Sequence, residues 1–142
     1  DVPPGSTFYL FVERVASIGI INGYPCGGPG EPCEPDNLPY FRPGANATRG
    51  QIAKIVSDAA GFSDVPPTQI FEDVNATHTF YLWVQRLASR SIISGYPCGS
   101  PGEPCITPGN RPYFRTASTT TRGQTAKITS SAFFPGCITQ HR

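Results

Sequence analysis

The sequence predicts a mainly α-helical fold made of two tandem helix–loop–helix modules, with long Pro- and Gly-rich loops and minor short β pieces. The first observation behind this prediction is internal repetition. Residues 7–33, "TFYLFVERVASIGIINGYPCGGPGEPC", align without a gap to residues 79–105, "TFYLWVQRLASRSIISGYPCGSPGEPC". After one inserted residue, 39–55 align with 112–128. Such self-similarity indicates a duplication, so both copies are expected to share one fold.

The first helix of each module is predicted from its apolar spacing, which is the second observation. In copy one, apolar residues recur every three or four positions and form one stripe. They are Phe8, Phe11, Val12, Val15 and Ala16. We expect the helices to start near Thr7 and Thr79, whose hydroxyls can accept a hydrogen bond from a first-turn amide. Gly19 should end the helix in a left-handed conformation, while Ser91 makes a softer stop in copy two.

The second helix of each module carries a capping signature, which is the third observation. "TRGQ" occurs at 48–51 and again at 121–124. The spacing of Thr48 and Gln51, and of Thr121 and Gln124, fits a capping box in which each side chain bonds the other residue's amide. Apolar residues on one face then follow in copy one: Ile52, Ile55, Val56, Ala59 and Ala60. Copy two has Thr125 and Thr129 instead of two of these, so we expect that face to be less buried.

The repeats suggest a division of the chain. We assign 1–61 to the first module, 62–70 to a linker, 71–134 to the second module and 135–142 to a C-terminal tail. An "F-x-D-V" tetrad at 71–74 leads into copy two, and Asp1 and Val2 match its last two residues. Copy one therefore lacks the phenylalanine of this tetrad. We expect an apolar site there that another chain could fill, for instance with Phe133 and Phe134.

Composition narrows the class of protein. Only 15% of the 142 residues are charged and the formal net charge is +1, which argues against a nucleic-acid or anionic-membrane partner. No apolar run approaches the roughly 18 residues of a membrane span. Five cysteines favour an oxidising compartment. The sequons at Asn46 and Asn75 are possible glycosylation sites and agree with a secreted or cell-surface protein.

The cysteines of each repeated loop are best interpreted as a disulfide staple. Cys26 and Cys33 are seven positions apart, as are Cys98 and Cys105. Zinc held by all four cysteines is the alternative, but it requires the two loops to meet and a spacing unusual for zinc. The Cys-x-x-Cys pattern of redox sites is absent. Cys137 has no counterpart in copy one, so it is either an unpaired thiol or a link to another chain or segment.

Catalytic chemistry has little support. The two histidines, His78 and His141, have no repeat partner, and no nucleophile–base or paired-carboxylate arrangement recurs. We predict that the protein is not an enzyme and uses no cofactor or metal.

The ordered blocks "F-x-D-V", "FYxxVxRLAxxxIIxGY", "YFRP" and "TRGQxAKI", present in two copies, resemble the S-layer homology domain family. Members of that family are helical modules that usually occur in threes around a pseudo-threefold axis. They hold exported bacterial proteins to the cell envelope by gripping cell-wall polysaccharide. This chain has two modules and carries T-R-G-Q where the family has a T-R-A-E-like motif.

The resemblance implies that Arg49 and Arg122 contact an acidic sugar, within a candidate site that includes Thr48, Gln51, Thr121 and Gln124. Trp83 is a candidate aromatic platform for the sugar. The residues alone favour an arginine that is solvated or paired with a carboxylate such as Asp58. A tryptophan is more often packed in the core or a loop than used as a platform for sugar.

The sequence and the resemblance therefore support two functions. One is an extracellular module on the bacterial cell surface that attaches to the envelope by binding anionic cell-wall polysaccharide. The other is a structural subunit that polymerises head to tail into an extracellular filament or layer, with copies of itself as partners.

Overall fold

A computed structural model describes residues 1–66 and 68–136 of the chain. The described residues form four α-helices: α1 (Tyr9–Ser17), α2 (Arg49–Ala59), α3 (Tyr81–Ser89) and α4 (Arg122–Phe133). Short loop pieces pair through isolated antiparallel bridges, among them Tyr24 with Tyr40 and Tyr96 with Tyr113. The prediction of a mainly α fold with two helices per repeat and short β pieces is thus confirmed for secondary structure.

The first helices begin two residues later than expected. The N-caps of α1 and α3 are Phe8 and Phe80, and neither makes a side-chain cap bond. Thr7 and Thr79 are therefore not the caps. The residue before each threonine acts instead: the Phe8 amide donates to Ser6 Oγ at 3.3 Å, and the Phe80 amide to His78 Nδ1 at 3.1 Å.

The predicted helix ends have a common backbone conformation. Gly19 has a φ of 75°, as expected for a glycine that ends a helix. Ser91, its counterpart after α3, has a φ of 57°. The serine therefore adopts the left-handed region at the cost that a side chain adds there. The stop in copy two has the same geometry as the stop in copy one.

Both capping boxes are confirmed. Gln51 N donates to Thr48 Oγ1 at 3.3 Å, and Thr48 N donates to Gln51 Oε1 at 2.8 Å. The same pair of bonds joins Thr121 and Gln124, at 3.2 and 3.0 Å. Each box satisfies first-turn amides that have no partner within the helix.

The chain divides into two compact units that do not coincide with the repeats. The first unit is Asp1–Ala45, and the second runs from Asn46 onward. α2 belongs to the first repeat by sequence, yet it lies in the second unit with α3 and α4 and packs mainly against α3. The second unit is therefore built from parts of both repeats.

The core of the second unit is formed by buried apolar residues from the three helices and the segments beside them. Phe71 and Phe114 lie at its centre, with their ring centroids 5.2 Å apart. The others are Ala53, Val56, Val74, Val84, Leu87, Ile92, Ile93 and Ile128. Burial of this set is the main stabilising contribution of the unit.

The buried face of α2 is rotated from the expected stripe. Its buried residues are Arg49, Gly50, Ala53, Val56 and Ser57, whereas Ala59 is exposed. The predicted stripe counted only apolar residues, so it left out the arginine, glycine and serine that are buried in α2. In α4 the buried residue is Ile128, so the expectation of a less buried second helix in copy two is confirmed.

The first unit has few buried apolar residues. Val12 of α1 is 8% exposed, while Phe8, Leu10 and Phe11 are more than half exposed. The loop after α1 is fastened to the segment at 39–42 by the pairing of Tyr24 with Tyr40. α1 and its N-cap thus expose three large apolar side chains.

Each loop carries the predicted disulfide, Cys26–Cys33 in the first unit and Cys98–Cys105 in the second. An ion pair fixes each loop further: Arg42 Nε lies 2.6 Å from Glu31 Oε1, and Arg115 Nε lies 2.7 Å from Glu103 Oε1. These arginines lower the pKa of Glu31 and Glu103 below the ordinary value. Cys137 lies outside the described residues.

Candidate functional site

The candidate site is centred on Arg49, the first residue of α2. A cationic side chain in the first turn is disfavoured by the helix dipole, so contacts elsewhere must account for its position. Arg49 is only 7% exposed. Its Nε donates to the Phe114 carbonyl at 2.7 Å and its Nη2 to the Ser94 carbonyl at 3.1 Å. The guanidinium also lies over the rings of Phe114 and Tyr96, at 4.4 and 5.2 Å from their centroids.

These partners compensate the buried charge of Arg49. Two carbonyl dipoles and two aromatic faces surround the guanidinium, and each is attractive to a cation. Burial lowers the pKa of Arg49 below its ordinary value. Because the pKa of an arginine in solution lies far above neutrality, Arg49 remains protonated and carries a fixed positive charge.

The backbone beside Arg49 is bound in the same way. The amides of Arg49 and Gly50 donate to the carbonyls of Ser118 and Thr116, at 2.8 and 2.9 Å. These two amides would otherwise lack partners in the first turn of α2. A Cβ added at Gly50 would overlap the ring of Phe80. The set of contacts that Arg49 and Gly50 make with Phe80, Ser94 and Phe114 is called the Arg49 joint below.

Trp83 extends this contact between α2 and α3. Its Nε1 donates to Asp58 Oδ1 at 2.5 Å, and Lys54 Nζ lies 5.2 Å from the ring centroid. Lys54 also pairs with Asp58 at 3.3 Å. The indole therefore lies between two helices of the repeat contact and has polar partners on α2.

Asp73 positions the Phe114 segment that accepts a hydrogen bond from Arg49. The sequence did not predict this role. Its Oδ1 and Oδ2 accept the amides of Phe114 and Arg115 at 2.7 and 2.6 Å. This clamp fixes the Phe114 carbonyl that Arg49 uses. Asp1 makes the same pair of bonds to Phe41 and Arg42 in the first unit. The aspartate that recurs in the "D-V" part of the tetrad was the available signal.

A small cleft of about 160 Å³ opens beside Arg49 in the second unit. Its lining includes Arg49, Ser94, Tyr96, Gln124 and Lys127. Two of these side chains are cationic, and none of the described residues that line the cleft is a carboxylate. The structure thus brings together Arg49 and Gln124 from the predicted set, and adds Lys127, which the sequence analysis did not select. We call this the Arg49 cleft.

Arg122 is placed differently from its counterpart Arg49. It is exposed, and it lines an open groove of about 580 Å³ along α4. Thr120, Thr125, Ala126 and Thr129 line the same groove, which we call the α4 groove. The two arginines therefore do not share a common environment, although both follow a threonine cap.

Other predicted features have simpler outcomes. Asn46 and Asn75, the sequon asparagines, are both exposed. Asn75 Oδ1 accepts the amide and the hydroxyl of Thr77 at 3.0 and 2.7 Å. Among residues 1–66 and 68–136, no group of three or more His, Cys, Asp or Glu could hold a metal ion.

None of the described helices has the length and apolar character needed to cross a bilayer. Compared with known proteins, the chain matches no protein-family model, and it matches no curated protein.

Proposed function

We propose that this chain is a non-enzymatic extracellular protein of the bacterial surface, with S-layer-homology-like modules, that binds an anionic polysaccharide in the Arg49 cleft. The observation that carries the proposal is that Arg49 and Lys127 both line a cleft whose described lining residues include no acidic side chain. The disulfides agree with an oxidising compartment. The resemblance in the T-R-G-Q segments supports the class of ligand.

The chemistry of the cleft suits one negatively charged sugar unit. Its volume is below the roughly 300–1,000 Å³ of pockets for drug-sized ligands, so a single ring is the appropriate scale. Arg49 donates from Nε and Nη2 to the two carbonyls. A guanidinium has five N–H donors, so donors remain for a carboxylate. Lys127 adds a second positive charge, and the Gln124 amide offers a neutral polar contact.

Lys127→Glu tests this proposal without breaking the Arg49 joint. We expect the variant to lose at least tenfold in affinity for an acidic cell-wall polysaccharide, measured by co-sedimentation. Arg14→Glu changes the charge equally at an exposed residue that does not line the cleft, and it should bind like the wild type. Sedimentation velocity would verify that both variants have the same assembly state. Equal retention of Lys127→Glu and wild type would refute the binding site.

A second candidate function is a self-assembling subunit of an extracellular filament or layer. One specific observation favours it. Phe8 and Phe11 are 53% and 64% exposed, whereas their counterparts Phe80 and Trp83 take part in the contact between α2 and α3. An apolar helix face of this kind marks an interaction surface.

A further inference from the structure

We infer that α4 of one copy docks on α1 of a second copy and so repeats, between chains, the contact that α2 makes with α3 within one chain. This inference rests on the second candidate function, self-assembly. It assigns residues to the contact and names the occupant of the α4 groove, which is α1 of another copy.

The contact within the chain has a donor side and an acceptor side. The donor side is the buried face of α2, formed by Arg49, Gly50, Ala53, Val56 and Ser57. The acceptor side consists of Phe80, which covers Gly50, together with Trp83 and the carbonyls of Ser94 and Phe114. The contact therefore requires an arginine and a glycine on one side and a ring and two carbonyls on the other.

The donor side recurs on α4. The counterparts of the buried α2 residues are Arg122, Gly123, Ala126, Thr129 and Ser130. Four of these five line the α4 groove, and within the described part of the chain a Cβ built on the fifth, Gly123, has no neighbour within 4 Å beyond its own helix turn. The face that packs against a helix in α2 is thus an open groove in α4.

The acceptor side recurs in the first unit. Phe8 and Phe11 stand at the positions of Phe80 and Trp83. Arg42 has a φ of 60° and Arg115 a φ of 61°, so the backbone turns alike in both units. The aspartate clamp on Phe41, described above, holds the first unit's carbonyl segment as Asp73 holds that of Phe114.

Tyr24 of the first unit corresponds to Tyr96 of the second unit, and each ring has an arginine beside it. In the second unit, Tyr96 has Arg115 at 3.9 Å and Arg49 at 5.2 Å from its ring centroid. In the first unit, Arg42 lies 4.0 Å from the centroid of Tyr24 in the corresponding arrangement. Both units therefore have the same arginine–tyrosine arrangement beside the clamped carbonyl segment.

The contact between copies should be weaker than the one within the chain. Thr129 replaces Val56, and Ser131 with Phe11 replaces the hydrogen-bonded pair of Asp58 and Trp83. The apolar area is smaller and one charge-assisted hydrogen bond is missing. We therefore expect association that is reversible and depends on protein concentration.

Each of two variants blocks one side of the contact between copies, and we expect both variants to fold. Gly123→Leu adds a side chain where the described residues leave open space, yet it would collide with Phe8 of a partner, as a side chain at Gly50 would with Phe80. Phe8→Lys with Phe11→Lys replaces two exposed rings by charges that repel Arg122 and Lys127 of the partner. Gly44→Leu and Leu10→Lys are the matched controls, at an open loop glycine and at another exposed residue of α1.

The experiment is sedimentation velocity over a range of concentrations, with Cys137→Ser in every sample so that no disulfide between copies mimics assembly. The wild-type background and both controls should self-associate. Each blocked variant alone should be monomeric, with at least a tenfold higher dissociation constant. An equimolar mixture of the two should form dimers and stop there, because one intact donor side and one intact acceptor side remain.

The outcomes separate this contact from self-assembly itself. A blocked variant that assembles like the wild type, or a mixture that forms no dimers, would overturn the α4–α1 contact while self-assembly stands. A wild-type background that stays monomeric at every concentration would overturn both, and polysaccharide binding would remain as the function.

Discussion

Arg49 donates a hydrogen bond from Nε to the carbonyl oxygen of Phe114 at 2.7 Å, and this bond joins the second helix of one repeat to the other repeat. Phe114 is 1% exposed and its amide donates to Asp73, so its carbonyl is also held in place by contacts other than the one with Arg49. The relationship makes the arginine of the first "TRGQ" segment a structural residue of the repeat contact and a wall of the adjoining cleft.

Arg49→Ala should destabilise the second unit by about 2–4 kcal/mol, because two hydrogen bonds from a charged group are lost and two carbonyls lose their donors. Arg122→Ala is the matched control on an exposed side chain, and we expect a change within about 0.5 kcal/mol. Urea unfolding followed by circular dichroism measures both. Equal free energies of unfolding for the two variants would contradict the Arg49 joint.

Alanine at the two corresponding glycines should have opposite effects. Gly50→Ala introduces a Cβ into the space of the Phe80 ring and should cost about 1–3 kcal/mol. Gly123→Ala meets no neighbour and gains up to about 1 kcal/mol from helix propensity. Thermal unfolding of both variants compares them directly. Stabilisation by Gly50→Ala would show that the ring does not lie against the glycine.

Asp73→Ala should remove the clamp on the Phe114 and Arg115 amides. Two buried or half-buried donors would then lose a charged acceptor, at a cost of roughly 1–3 kcal/mol. Asp36→Ala, at an exposed loop residue, is the control and should change stability little. Hydrogen exchange of the Phe114 and Arg115 amides should accelerate in Asp73→Ala alone, and unchanged protection would argue against the clamp.

The loop ion pairs predict how stability depends on pH. The pKa of Glu103 is lowered, first by its hydrogen bonds from Arg115, from an ordinary value of 4.5. The folded state thus favours the ionised carboxylate. The stabilisation is present above that ordinary value and is lost as the pH falls below it through the lowered pKa. Unfolding of wild type and Glu103→Gln at several pH values should show a difference near neutrality that shrinks in acid. A difference that grows in acid would reverse the sign.

Removing one staple should destabilise its loop by roughly 2–3 kcal/mol, the loop-entropy scale for a ring of this length. The double change Cys98→Ser and Cys105→Ser in the second unit is compared with Cys26→Ser and Cys33→Ser in the first. Intact mass with and without reduction counts the disulfides of the wild type first. Four thiols that react with an alkylating reagent before reduction would contradict both staples.

Local sequence signals predicted the local features well. The capping boxes follow from three-residue spacing, and the loop disulfides follow from repeated cysteine pairs with no competing partner nearby. The caps of α1 and α3 were missed because Ser6 and His78, not the threonines, lie where a side chain reaches the Phe8 and Phe80 amides.

The site itself depended on contacts that spacing does not encode. A polar arginine at a helix start is expected to be solvated, and its burial becomes visible only when residues 65 apart in the chain meet. The division after Ala45 has the same origin, since α2 finds its partners in the other repeat. The signal available in the sequence was the glycine that follows the arginine in both T-R-G-Q segments, Gly50 and Gly123.

The most direct test of the proposed function uses the Gly123→Leu variant, in which we expect association between copies to be blocked. Its binding is measured to polygalacturonate and to the same polymer after reduction of its carboxyl groups. Isothermal titration calorimetry gives both affinities at matched ionic strength. The Arg49 cleft predicts binding to the acidic polymer and a loss of at least tenfold on the reduced one. Equal affinity for the two polymers, or binding to neither, would contradict an anionic polysaccharide as the ligand.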